Sequence, residues 1–218
     1  MGLPQSDTRD VRPTAVMIPI RSLATGKLRL SAVYDQAARA NLIATMAKTV
    51  VQAACGLDVL VVHDSPEVAS WANEMGAMDL RPSKPGLNHA ISAGRDHLHS
   101  LGYSRVIVAH ADLPHARDLR PIDRGTGIAI VPDRHGDGTN VMCLPTDIDF
   151  SFAYGPGSFA SHLAIARQLE LEPDIIDSPE LSWDIDHPDD LIGSVLENHA
   201  RYPSMPPKEI HDDRPSNT

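Results

Sequence analysis

Short apolar runs alternating with helix-period segments constrain this chain more than any other feature. Residues 15–20, 57–62 and 105–109 are apolar at nearly every position and too short for helices. That is how strands buried on both faces read. Between the first two, residues 35–54 carry Leu42, Met46, Val50 and Ala53 at helical spacing. Pro66 suits the first turn of the next helix, and a helix over 87–101 stops at Gly102. This alternation predicts an α/β fold in which helices flank a mostly parallel sheet. In such a sheet the loops at the carboxyl ends of the strands line the ligand crevice.

The later chain is less regular. Strands are expected at 126–131, 141–144, 175–176 and 182–185, and helices at 158–170 and 188–198. Residues 1–12 and 201–218 are polar and proline-spotted, so flexible ends are expected about one domain spanning 13–200. A formal net charge of −10 argues against a nucleic-acid partner, because binders of the phosphate backbone need a positive surface. No apolar run reaches membrane-spanning length. Cys55 and Cys143 lack the CxxC spacing of metal or redox sites, which suits reduced thiols in the cytoplasm.

Two acidic motifs carry the chemistry. His110-Ala111-Asp112-Leu113-Pro114 follows a buried run, so Asp112 is expected at a strand's carboxyl end, as a metal ligand or as an Asx-turn residue. In Asp184-Ile185-Asp186-His187-Pro188 the two carboxylates are two residues apart and share a face if the segment is extended. Asp189 and Asp190 fall in the first turn of a helix, where the dipole favours acids. Carboxylates converging at one sheet edge repel unless a cation compensates. Mg²⁺ takes oxygen ligands and is commonly shared with substrate phosphates.

Cationic and glycine-rich loops accompany them. Arg21, Lys27 and Arg29 follow the first strand and suit a triphosphate, although the loop is not a Walker A sequence and could be a solvated basic surface. Pro132-Asp133-Arg134-His135-Gly136-Asp137-Gly138-Thr139-Asn140 reads as a hairpin whose amides can form an anion nest. Gly155-Pro156-Gly157-Ser158 opens a helix; Ser158 is expected to cap it and free amides to offer a phosphate site. The eleven histidines form no metal set; His110 and His115 flank Asp112 and could support its carboxylate, although solvent exposure is expected for most of the histidines.

With these motifs in order, residues 14–192 resemble the guanylyltransferases of coenzyme F420 biosynthesis, which use 2-phospho-L-lactate, phosphoenolpyruvate or 3-phosphoglycerate. The hairpin motif and Tyr154-Gly155-Pro156-Gly157-Ser158-Phe159 are the most specific elements of the likeness. The resemblance implies a single-domain, Rossmann-like nucleotidyltransferase fold. It assigns Mg²⁺ to Asp112, Asp184 and Asp186, and the phosphorylated acid to Thr139, Gly155 and Ser158, with Arg21 nearby. Lys27 and Arg29 fall to the nucleotide, Lys27 also to catalysis, and Gly86 and Asn88 to the nucleoside. Arg21 replaces a common lysine and Leu28 a common serine. The implied reaction joins GTP to the acid and releases pyrophosphate. Other readings are a nucleotidyltransferase for a molybdopterin or sugar phosphate, and a non-catalytic nucleotide-binding module. A homodimer or a transient pathway partner is compatible with each.

Overall fold

The structure, a computed structural model, describes residues 12–23, 26–125 and 127–191. The ends expected to be flexible lie almost wholly outside these. In chain order the elements are β1 (Arg12–Ile20), α1 (Gln36–Gln52), β2 (Asp58–His63), α2 (Pro66–Glu74), β3 (Met78–Leu80) and α3 (Leu87–Ser100). Then come β4 (Tyr103–Ala109), β5 (Ala129–Pro132), β6 (Thr139–Pro145), α4 (Ser158–Gln168) and β7 (Asp174–Ile175). A 3₁₀ helix, Leu28–Ala32, follows the loop after β1.

The strands form one seven-stranded sheet in the order β3-β2-β1-β4-β6-β5-β7. Strand β6 runs antiparallel to both neighbours, and all other pairs are parallel. Alternation along each strand sends side chains to opposite faces. Val16, Ile18 and Ile20 of β1 pack with Ile43, Ala47 and Val50 of α1 and Val68 and Ala72 of α2. Ala15 and Met17 face the other way, toward Ile91 and Leu98 of α3 and Ala166 of α4. The mostly parallel, doubly covered sheet is therefore present.

A third, smaller apolar cluster matters most for function. Leu30 and Tyr34 meet Leu42 and Met46 of α1, and onto them fold Ile185 and Leu191. The strand expected at 182–185 does not form; that stretch is a loop without ladder partners. Its attachments are the buried Ile185, whose N–H reaches Asp112 O at 3.3 Å, and Ser182, whose carbonyl accepts from Arg134 N–H at 2.8 Å. The helix expected after it does open at position 188, and its residues beyond 191 lie outside those described. Strand β3 was not expected: it is only three residues long with Asp79 at its centre. The strand expected at 126–131 begins later, at Ala129, because Gly125 and Gly127 turn the chain at φ 84° and 66°.

Gly94 fixes how closely α3 sits on the sheet. A Cβ there would lie 2.2 Å from Met17 Sδ and 2.9 Å from Val62 Cγ2, and both neighbours are enclosed. Gly94→Ala is expected to lower stability by about 1–3 kcal/mol through overpacking, read as a shift of the urea midpoint.

Candidate active site

The register of the sheet gathers the sequence motifs at one edge. Met17 of β1 stands opposite Val108 of β4, so these parallel neighbours finish together. Because β6 is antiparallel, its first residues start at that same edge, with Val141 opposite Ala109. The His110 N–H then bonds Asn140 O at 3.0 Å. The loop after β1, Asp112 after β4, the β5–β6 hairpin and the 182–190 loop consequently share one rim. A cavity of about 520 Å³ opens there, lined among others by Arg21, Lys27, Arg29, His110, Asp112 and Asp186.

Asp112, Asp184 and Asp186 converge: one carboxylate oxygen from each lies within 4.8 Å of the others. The cause is local. Ile185 is buried in the third cluster, so its neighbours on either side turn toward the rim. Asp190 secures the loop by accepting the N–H groups of Asp186 and His187, each at 2.6 Å. This is the reach-back half of a capping box, in keeping with the helix-start role expected for Asp190. Asp190 is also ion-paired with Arg134, whose guanidinium covers the Trp183 ring at 4.4 Å and donates to Asp184 O at 3.2 Å. Asn140 adds a bond to Leu181 O at 3.0 Å and approaches Asp184 Oδ1 at 3.4 Å. From sequence alone neither Arg134 nor Asn140 receives a separate role, although both stand inside the hairpin motif.

The electrostatics follow from this crowding. Burial raises the Asp184 carboxyl above its ordinary range, and repulsion from Asp112 and Asp186 adds to it. Burial also works against charge at Asp112, but Lys27 and then His110 outweigh it and hold that carboxyl low. The Lys27 ammonium lies in ion contact with Asp112 Oδ2 and 2.7 Å from Asp186 Oδ1. Burial opposes its charge, and the two carboxylates more than compensate, raising its pKa. Arg29 is looser, 3.8 Å from Asp186 Oδ2 and 3.3 Å from His187 Nε2. Arg21 is largely exposed and lies 3.9 Å from Asp64.

The donor set suits a hard divalent cation. All three ligands are carboxylates, the oxygen donors such an ion takes, and one oxygen from each already lies within 4.8 Å of the others. Asp112 Oδ1 is buried with no hydrogen-bond partner, an acceptor whose desolvation is not offset.

The two expected anion sites are filled from within. Asp133 accepts the amides of His135, Asp137 and Gly138 at 2.9–3.0 Å, so the hairpin nest closes on its own carboxylate. At α4 the cap position is Gly157, left-handed at φ 69°, without a side-chain bond, so Ser158 does not cap the helix as expected. The amides there are engaged too. Gly157 donates to Asp137 Oδ2 at 3.1 Å, Ser158 to Gly155 O and Phe159 to Asp137 O, each at 3.0 Å. Ser158 and Thr139 are buried and are not among the residues lining the cavity. Gly86 starts α3 at φ 109°, and Asn88 clasps the Tyr154 backbone through two bonds of 2.7 and 3.2 Å.

His110 and His115 are not solvent-exposed. Instead, His110 packs on Tyr154 at 5.1 Å, and the buried His115 packs against Trp183 at 6.1 Å. His162 is fully enclosed; its Nε2 accepts the Ala153 N–H at 3.0 Å, which leaves Nδ1–H to donate to Thr139 Oγ1 at 3.0 Å. Burial, then the nearby His110, lowers its pKa to about 4.

Comparison with known proteins adds the following. A family profile described as "Guanylyl transferase CofC like" matches residues 14–204. A phosphoenolpyruvate guanylyltransferase of Rubrobacter xylanophilus is 34% identical over 195 residues, 85% of this chain and 95% of that protein. A 2-phospho-L-lactate guanylyltransferase of Methanocaldococcus jannaschii is 32% identical over 193 residues, 86% and 84% of the two chains. Two solved structures share the fold at low identity. A nucleotidyl transferase from Methanothermobacter has a TM-score of 0.58 at 15% identity, covering 84% of this chain and 96% of that one. A CMP:2-keto-3-deoxy-manno-octonic acid synthetase complexed with CTP scores 0.56 at 12%, covering 87% and 99%.

The enclosed imidazole makes a pH prediction. Its folded pKa of about 4 lies below the ordinary 6.5, so between these values the unfolded chain binds more protons and stability rises with pH. Acidification from pH 7 to 4 should remove about 3 kcal/mol through this residue. In His162→Gln the fall of the denaturation midpoint across that window should be visibly shallower than in the wild type.

Proposed function

Since the chain belongs to the CofC-like guanylyltransferase family, we propose that it condenses GTP with a phosphorylated three-carbon acid, with Mg²⁺ as the cation, as a step of coenzyme F420 biosynthesis. The carrying observation is the convergence of Asp112, Asp184 and Asp186 within 4.8 Å on a rim that also holds Lys27 and Arg29. The acceptor class comes from the relatives, whose names divide between phosphoenolpyruvate and 2-phospho-L-lactate. No helix among the described residues is long and apolar enough to cross a membrane.

In the proposed reaction a phosphate oxygen of the acid forms a bond to the α-phosphorus of GTP. The bond from that phosphorus to the oxygen bridging toward the β-phosphate breaks, and pyrophosphate leaves with the electron pair. The acid's phosphate is already anionic at neutral pH, so no strong general base is required. The barrier is instead the meeting of two polyanions, together with the loss of freedom needed to align them. Asp112, Asp184 and Asp186 would hold Mg²⁺, which when bound supplies charge neutralisation and a template for the phosphates.

Lys27 and Arg29, on the cavity wall, are suited to the triphosphate, and Arg21 at its mouth to the incoming acid. Lys27 delivers a point charge and the arginines a planar fork, so these roles are not exchangeable. Thr139, Gly155 and Ser158 are proposed to hold the acid, with Asp137 giving up the Gly157 amide when the acid arrives. Gly86 and Asn88, at the start of α3, are proposed to face the nucleoside.

The test is incubation with GTP, Mg²⁺ and each of 2-phospho-L-lactate, phosphoenolpyruvate and 3-phospho-D-glycerate, following pyrophosphate and the mass of the product. One acid should give a guanosine diphosphate ester; no product from any of them, with ATP, CTP or UTP proving competent instead, overturns the reading. Asp112→Asn and Asp186→Asn should lower kcat by about a hundred-fold or more with an unchanged circular dichroism spectrum. Thr139→Val and Ser158→Ala should raise the KM for the acid by about ten-fold and leave that for GTP unmoved.

A further inference from the structure

The position of the Lys27 ammonium bears on how the site is loaded. It contacts Asp112 and Asp186, two of the three carboxylates that converge as cation ligands. Only 14% of its side chain is exposed, whereas Arg29 and Arg21 are 65% and 92% exposed. The backbone there is left-handed, at φ 52° and ψ 44°, a conformation a lysine rarely adopts. Gly26 before it packs closely on Ile43, whose Cδ1 would have to shift for a side chain there, since a Cβ would lie 2.7 Å from it. The loop thus buries one particular cation against the acidic cluster, leaving Arg29 at its edge, 3.8 Å from Asp186, and Arg21 outside.

A divalent ion bound to those oxygens at about 2.1 Å and an ammonium 2.7 Å from Asp186 Oδ1 would stand nearly in contact, both positive. The two cations therefore compete for the same carboxylates. We propose that Lys27 is the resting counter-ion of the acidic cluster, exchanged for the divalent cation when the nucleotide's phosphates arrive to receive the ammonium. The proposal rests on the guanylyltransferase reading and extends it to the order of loading. Without nucleotide, an entering cation must expel the ammonium into water beside its own charge. With nucleotide, the ammonium moves from one set of anionic oxygens to another. Metal and nucleotide therefore strengthen each other's binding, by the same factor in either direction.

The experiment measures binding, with Mn²⁺ read by its electron paramagnetic resonance, with and without the non-hydrolysable α,β-methylene analogue of GTP. Wild-type protein should bind Mn²⁺ weakly alone and about ten-fold or more tightly with the analogue, a normal size for coupled sites. Lys27→Met and Lys27→Gln should bind Mn²⁺ alone about ten-fold more tightly than wild type, and the enhancement by the analogue should shrink. Asp112→Asn should lose this binding, which fixes the site being read. A second arm uses wild-type protein only. Lys27 should be acetylated more slowly than the exposed Lys48, as read by mass spectrometry, and saturating Mn²⁺ alone should speed its labelling several-fold.

Unchanged Mn²⁺ affinity in both Lys27 variants, or labelling indifferent to Mn²⁺, overturns the counter-ion role while the guanylyltransferase reading stands. Mn²⁺ that fails to bind even with the analogue overturns both.

Discussion

Mutual repulsion of three carboxylates is the constraint around which this site is built. Asp112, Asp184 and Asp186 approach within 4.8 Å of one another in a partly buried place, where each charge is poorly solvated. Such an arrangement persists only if packing forces the groups together and a cation offsets them. The packing comes from Ile185, enclosed with Leu30, Leu42 and Met46, and from Asp190, which grips the backbone of Asp186 and His187. The offsetting charge comes from Lys27. The fold thus concentrates negative charge at this rim in advance of any ligand.

The sheet makes the convergence available. Parallel strands β1 and β4 end side by side, and the reversal of β6 brings the hairpin and Asn140 to the same edge. Arg134 links that hairpin to the 182–190 loop through a carboxylate, a carbonyl and the Trp183 ring. That link adds to the burial of Ile185 and its N–H bond to Asp112 O in fixing the second acidic motif against the first, since the loop has no ladder of its own. Charge self-satisfaction recurs around the rim. Asp133 fills the hairpin nest and Asp137 holds the start of α4, much as Lys27 holds the aspartates.

Much of this was legible before any coordinates. Runs such as 57–62 announce central strands because a strand covered on both faces has no polar positions to spare. The two acidic motifs pair in the sequence because both follow segments whose composition suits strands ending at a sheet's carboxyl edge. The strand expected at 182–185 does not form: an extended segment anchored by a single buried isoleucine has the composition of a strand but lacks partners. Its aspartates face the rim because Ile185 packs inward, a reason the sequence alone did not supply.

The chain's periodicity by itself determined an α/β sheet and which residues enter its core, since burial patterns of two and 3.6 are local properties of the backbone. Its motifs determined the kinds of group available at the rim. Tertiary structure alone decided which of them meet. Arg134 reaches Asp190, His110 and His115 pack against aromatic rings, and the ammonium of Lys27 settles among the aspartates. Ion pairs and hydrogen bonds between residues 50 to 160 positions apart depend on distances in space, and no local pattern in the sequence encodes those.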